Sequence, residues 1–224
     1  MNYFFRVSIL LLIFVFSPQA VCDHNLNEIE LVTGLAKPPF ILKDESKGLQ
    51  LDLISAALAL HGITPSFTPM PLGRNITGYQ RWNIDGVITV SPDYKYPSMF
   101  VSDPYITYQN VAVSLVESNY SIKSISDLSS KSIVAFQNAK KFLGESYNDV
   151  VAYSLDYREI ADQIQQIQML FTGRTKVIIL DINIFKFFVN QNEKSQYDKP
   201  FNIHYIFKER QYSAGLNSTI KFIS

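Results

Sequence analysis

The 224-residue chain carries 20 basic and 20 acidic side chains and is 47% hydrophobic. That composition excludes a disordered chain, and with no basic run anywhere it argues against a nucleic-acid partner. The only cysteine is Cys22 and the three histidines, His24, His61 and His204, lie far apart, so neither a disulfide framework nor a metal-ligand spacing is present, and no cofactor is expected. The first elements read as an export leader. Arg6 supplies a positive charge, Val7 to Phe16 is apolar apart from Ser8, Ser17-Pro18 breaks a helix, and Ala20-Val21-Cys22 offers small residues for cleavage. The apolar run is about half the roughly 20 residues that span a bilayer. A signal peptide over residues 1–22 is therefore expected, giving a periplasmic protein. Lipid attachment at Cys22 is the weaker alternative, because Val21 and Gln19 are not the residues such a site prefers.

From residue 23 onward, β-branched runs alternate with helical segments. Ile29 to Gly34 reads as a strand, and Pro38-Pro39 bars a helix directly after it. Gln50 to Leu60 sets Leu51, Ile54 and Leu58 on one helical face, with Gly62 as the stop. Ile84 to Val90 is a short apolar strand, and Tyr105 to Val116 is a longer extended run. Ser124 and Asp127 form a capping-box-like start, and Ile133 to Phe136 is a strand. The spacing of Ile160, Ile164, Ile167 and Phe171 predicts one long helix capped by Ser154 and ended by Gly173. Lys176 to Leu180 is again strand-like, with Asp181 at its carboxyl end.

Strands alternating with helices predict an α/β fold with largely parallel sheets. Ligand crevices in such sheets lie beyond the carboxyl ends of the strands. Thr89, Ser91, Gln137, Asn138 and Asp181 all fall at or just past such ends.

Five segments in order resemble the periplasmic solute-binding proteins of the polar-amino-acid type (family 3), the receptors of ABC importers. They are Leu31-Val-Thr-Gly-Leu-Ala-Lys-Pro-Pro-Phe40, Gly48-Leu-Gln-Leu-Asp52-Leu-Ile, Asp85-Gly-Val-Ile through Val101-Ser-Asp-Pro-Tyr105, Ile125-Ser-Asp-Leu-Ser-Ser-Lys-Ser-Ile-Val134, and Leu170-Phe-Thr-Gly173 running on to Asp181. The resemblance implies a two-lobed, type II clamp shortened at the C-terminus. Lobe 1 would span 23–110 with a return segment at about 201–224, and lobe 2 would span 111–200. Relatives continue with further helices after the second crossing strand, whereas this chain stops at Ser224. The implied function is capture of a small polar solute, an amino acid or related compound, by a monomeric receptor serving an importer permease or a membrane sensor.

Such receptors hold a ligand carboxylate with an Arg in lobe 1 and its ammonium with an acid in lobe 2. Asp181 matches that acid in position, and a helix N-cap is the other role open to it; both can hold at once. The Arg is replaced: Ser91-Pro-Asp-Tyr94-Lys95 offers only Lys95 as a positive charge, and the aromatic position before Pro-Phe40 is Lys37. Arg74 either faces the cleft or sits solvated on a first helical turn. Thr89 and Ser91 are hydroxyl donors or turn caps. Gln137 and Asn138 precede a helix where backbone donors could meet an anion. Phe40 belongs to the cleft floor or the core, and one or two of Tyr94, Tyr96, Tyr105 and Tyr108 would line the cleft. No catalysis is expected. A secreted hydrolase would require His61 or His204 beside a cleft serine, and a third reading is a degenerate or sensory domain that contacts a protein partner.

Overall fold

The computed structural model describes residues 27–44, 46–71, 73–93, 95–191 and 197–218. The expected leader and Tyr94 lie outside the described residues. In the first lobe, β1 (Glu28–Gly34), α1 (Leu49–Ala59), β2 (Thr64–Met70), α2 (Asn75–Trp82) and β3 (Gly86–Val90) form two crossover units around a parallel core, with β1 between β2 and β3. Parallel neighbours need such crossovers, which bury both faces of the sheet. On one face Leu31, Ile88 and Leu51 pack together, and on the other Val32, Val87 and Tyr79. Each fully buried aliphatic or aromatic side chain of this kind contributes roughly 1.5–3 kcal/mol.

The short strands β4 (Met99–Val101) and β5 (Ile106–Tyr108) follow, and Gln109 then breaks the extended run before β6 (Asn110–Leu115) enters a second sheet. A 3₁₀ turn at Ile125–Leu128 carries the expected capping box of Ser124 and Asp127. The second lobe continues with β7 (Ser132–Phe136), α3 (Ala139–Leu143), α4 (Glu145–Val151), β8 (Asp156–Ile160), α5 (Gln163–Phe171), β9 (Val177–Asp181), α6 (Ile182–Gln191) and β10 (Phe201–His204). Its sheet order is β10-β6-β9-β7-β8, with β7 parallel to both β8 and β9. Val134, Ile167, Leu170 and Phe185 fill one face and Ile133, Leu128, Tyr147 and Ile179 the other. The last strand, β11 (Arg210–Asn217), returns to the first sheet and pairs antiparallel with β3, β4 and β5.

Two expectations are corrected. The long helix begins only at Gln163, capped by Asp162, whose side chain accepts from the Ile164 N–H. Residues 156–160 instead pair in parallel with β7, and Ser154 donates its hydroxyl to the Lys131 carbonyl rather than capping a helix. Pairing to a strand distant in sequence overrides the apolar spacing that favoured a helix. The return segment is also shorter than 201–224 suggested, because Phe201–His204 pairs with β6 in the second sheet. Only the stretch after His204 crosses back.

The two crossings run side by side, with Arg210 opposite Tyr108 in the ladder. The Gln109 side chain donates to the carbonyls of Asn110 (2.7 Å) and Phe207 (3.0 Å). Where β3 meets β11 the backbones press together: a Cβ on Gly86 would lie 2.5 Å from the Gly215 carbonyl oxygen. Only glycine fits there without displacing the strand.

Candidate functional site

Between the lobes lies a cleft of ≈ 550 Å³, within the range of small-molecule sites. It opens at the carboxyl ends of β1, β3, β7 and β9, which is where a parallel sheet exposes unpaired backbone and loop side chains.

On the lobe-one wall, Gln50 is fully buried at the start of α1. Its amide donates to Thr89 Oγ1 and to the Tyr105 hydroxyl (2.7 Å each), and its carbonyl accepts from the Tyr108 hydroxyl (3.0 Å). Tyr105 in turn donates to the Ile88 carbonyl (2.6 Å). Burial pushes both phenols above their ordinary pKa, so they stay neutral donors. The network fixes Thr89, which lines the cleft with Ser91. Lys37, half-buried on the turn after β1, places its Nζ 4.7 Å from the centre of the Tyr108 ring. Desolvation pulls its ammonium down to about 8, with the Asp181 carboxylate acting in the opposite direction.

On the lobe-two wall, Asp181 is 3% exposed. Its Oδ1 accepts from the backbone N–H of Asn183 (2.8 Å) and Ile184 (3.3 Å), an N-cap on α6. Its Oδ2 accepts from the Gln109 N–H (2.8 Å) at the lobe crossing, and the Ile182 N–H donates to the Gln109 carbonyl. The carboxylate thus ties the helix start to the crossing while still lining the cleft. Burial raises its pKa, opposed by those three N–H donors and by Lys37. Of the two roles read for Asp181, the cap is formed, and it coexists with a place in the cleft wall.

The remaining expected residues divide. Phe40 is core, 4.3 Å from the Tyr108 ring centre and outside the cleft lining. Arg74 and Lys95 are exposed and also outside the lining, as is Gln137. Asn138 does offer its backbone N–H to an anion, but that anion is Glu159 from β8, which accepts from the N–H groups of Asn138 (2.8 Å) and Lys140 (2.9 Å). The chain supplies its own carboxylate where an external one was expected. Of the four tyrosines considered, Tyr96 and Tyr108 line the cleft.

Several cleft residues carried no sequence signal. Arg210 enters from the first residue of β11, with one guanidinium nitrogen donating to the Phe142 carbonyl of α3. Lys141 adds a third cation, and Phe136, Phe142 and Tyr212 add aromatic walls. Asn75 and Gln163 each present a buried amide oxygen that has no partner among the described residues. Such unspent acceptors are uncommon in folded proteins and mark places where a ligand or water belongs.

His204 does meet a serine: its Nε2 lies 2.9 Å from Ser114 Oγ. Ser114 is fully buried on β6 within the second sheet and neither residue lines the cleft. The pair is a cross-strand contact with no room for a substrate carbonyl. Among the described residues no group of three or more His, Cys, Asp or Glu could hold a metal, and no helix is long and apolar enough to cross a membrane.

No family model matches the sequence, and no curated protein matches it. Solved structures do match. An ancestral arginine-binding protein bound to arginine is 25% identical over 86% of this chain and 85% of its own, with a TM-score of 0.66. An ABC uptake transporter substrate-binding protein from Streptococcus pneumoniae with bound histidine is 16% identical over 85% of this chain and 80% of its own, also at 0.66. An ancestral amino-acid-binding protein described as a precursor of cyclohexadienyl dehydratase is 19% identical over 86% and 82%, at 0.63. The chain therefore has the two-lobed fold of amino-acid-binding substrate-binding proteins, in agreement with the resemblance carried by its sequence motifs.

Proposed function

From a chain with the fold of amino-acid-binding substrate-binding proteins, we propose a receptor that captures a small polar solute between its lobes and delivers it to an ABC importer. The observation that carries this reading is the interlobe cleft itself. Both walls meet at the crossing strands, and charged, hydroxyl and amide groups converge on one solute-sized volume. Two lobes joined by paired crossings are the mechanical requirement for hinged closure. The expectation of a leader in residues 1–22 supports a periplasmic setting for this work, and the receptor is proposed to act as a monomer.

Binding rather than turnover is the reading that the side chains support. Among the described residues the lining of the cleft holds a single carboxylate, Asp181, already engaged by backbone donors, and no paired acid for acid–base chemistry. The neighbour described as a precursor of cyclohexadienyl dehydratase is a reason to measure turnover alongside binding.

The test is thermal denaturation of the purified protein against amino acids, amines, organic acids and sugars. A ligand that binds only the native state at 100 times its Kd stabilises by about 2.7 kcal/mol. At least one compound is expected to raise the Tm with saturable concentration dependence. A well-folded sample indifferent to every compound would overturn the proposal.

A further inference from the structure

Resting on the reading of the cleft as a solute site, we propose that its ligand is a carboxylate with an apolar body and no ammonium group, because Lys37 already occupies the position an ammonium would need.

Among the described residues, the charges lining the cleft are three cations, Lys37, Lys141 and Arg210, against one carboxylate, Asp181. An α-amino acid presents both signs, and its ammonium needs a carboxylate with acceptor capacity and field to spare. Asp181 has both oxygens engaged by three backbone N–H groups. Its field is further answered by Lys37, whose own titration Asp181 influences. The aromatic seat that would favour an ammonium, the face of Tyr108, is likewise held by Lys37 Nζ at 4.7 Å. A ligand ammonium entering here would face a net positive wall. The two unpaired amide oxygens, Asn75 Oδ1 and Gln163 Oε1, are neutral acceptors. They suit a ligand hydroxyl and carry no charge to neutralise a cation.

An anion finds the opposite situation. Lys37 sits desolvated and without an ion pair at close range among the described residues, so a ligand carboxylate beside it relieves the cost of its burial. Arg210 spends one nitrogen on Phe142 and keeps the rest of its planar fork for a second oxygen. The remaining walls are rings, among them Phe136, Phe142 and Tyr212, which fit an aromatic or branched aliphatic body.

The experiment is isothermal titration of the full chain with three compound pairs that differ only by the α-ammonium: L-phenylalanine and 3-phenylpropanoate, L-leucine and 4-methylpentanoate, L-glutamate and glutarate. The deaminated member of the pairs that bind is expected to be at least tenfold tighter, most clearly for the aromatic pair. Lys37→Met is expected to weaken 3-phenylpropanoate at least tenfold and to bring the phenylalanine pair toward parity, while Lys37→Arg retains the preference. Equal or tighter binding of the ammonium-bearing member overturns the ligand class and leaves the solute-receptor reading standing. Silence from all three deaminated acids also overturns it. If the wider amine, amino-acid and sugar panel is silent too, the receptor reading falls with it.

Discussion

On the lobe-one wall of the cleft, Gln50, Tyr105, Tyr108 and Thr89 satisfy one another through side-chain hydrogen bonds, and the cation Lys37 rests on top of that network. On the lobe-two wall the carboxylate Asp181 is satisfied by backbone, through the α6 start and the Gln109 N–H. One wall is built from interlocking side chains and leaves a charge exposed to the ligand. The other uses its charge to hold the architecture. The difference teaches that an acid in a cleft can serve the architecture as well as face the cleft, because three backbone donors already engage the same carboxylate.

The comparison predicts a ranked set of outcomes. Asp181→Ala removes a helix cap and orphans the buried crossing N–H, so a loss of about 3–4 kcal/mol in chemical denaturation is expected. If the loss stayed near zero, with ligand binding abolished, Asp181 would be a ligand group and the contrast between the walls would collapse. Lys37→Met should act the other way and stabilise the ligand-free protein at pH 7. The folded chain releases the Lys37 proton at about 8, whereas an unperturbed lysine releases it at 10.5. The unfolded chain therefore binds more protons between those values, and native stability rises with pH across that window. Below it Lys37 costs up to about 3 kcal/mol at 1.36 kcal/mol per unit. The wild type should close that gap on the variant between pH 8 and 10, measured as the difference between their denaturation curves.

Gln50→Leu leaves the Tyr108 hydroxyl without its acceptor in a buried setting, for an expected loss of about 2 kcal/mol. Its sharper signature is a weakened ligand affinity through Thr89 and the Lys37 seat. Glu159→Gln should be the mildest, below about 1 kcal/mol, since the amide oxygen still accepts from one of the two N–H groups at the start of α3. That helix has only five residues, so hydrogen exchange at Asn138 and Lys140 is the suitable readout.

Much of the fold was legible because local pattern and global topology agree over β1, α1, β3, β7 and β9. Where they part, the sequence misleads. Ile160 falls in helical register with Ile164 and Ile167, yet it ends a strand because β7 offers a partner that no local window contains. The site follows the same division. Thr89, Ser91 and Asp181 were found because they terminate strands, and strand ends are visible in sequence. Arg210 was not, since its place in the cleft depends on a return strand that crosses from one sheet to the other. Glu159 was invisible for the related reason that it serves a strand end other than its own.

Arg210 is rooted in a strand of the first sheet and bonded to a carbonyl of the second lobe. A bond that bridges a hinge lowers the free energy of the juxtaposed arrangement whether or not anything sits between the walls. In a receptor of the kind proposed, it would act as a spring clip that favours the shut arrangement of the empty molecule. A transporter that responds to shut receptors would then see a background signal before any cargo arrives, and the cargo's share of the response is what remains above it. In signalling terms, the bond to Phe142 would set the noise floor of such a device.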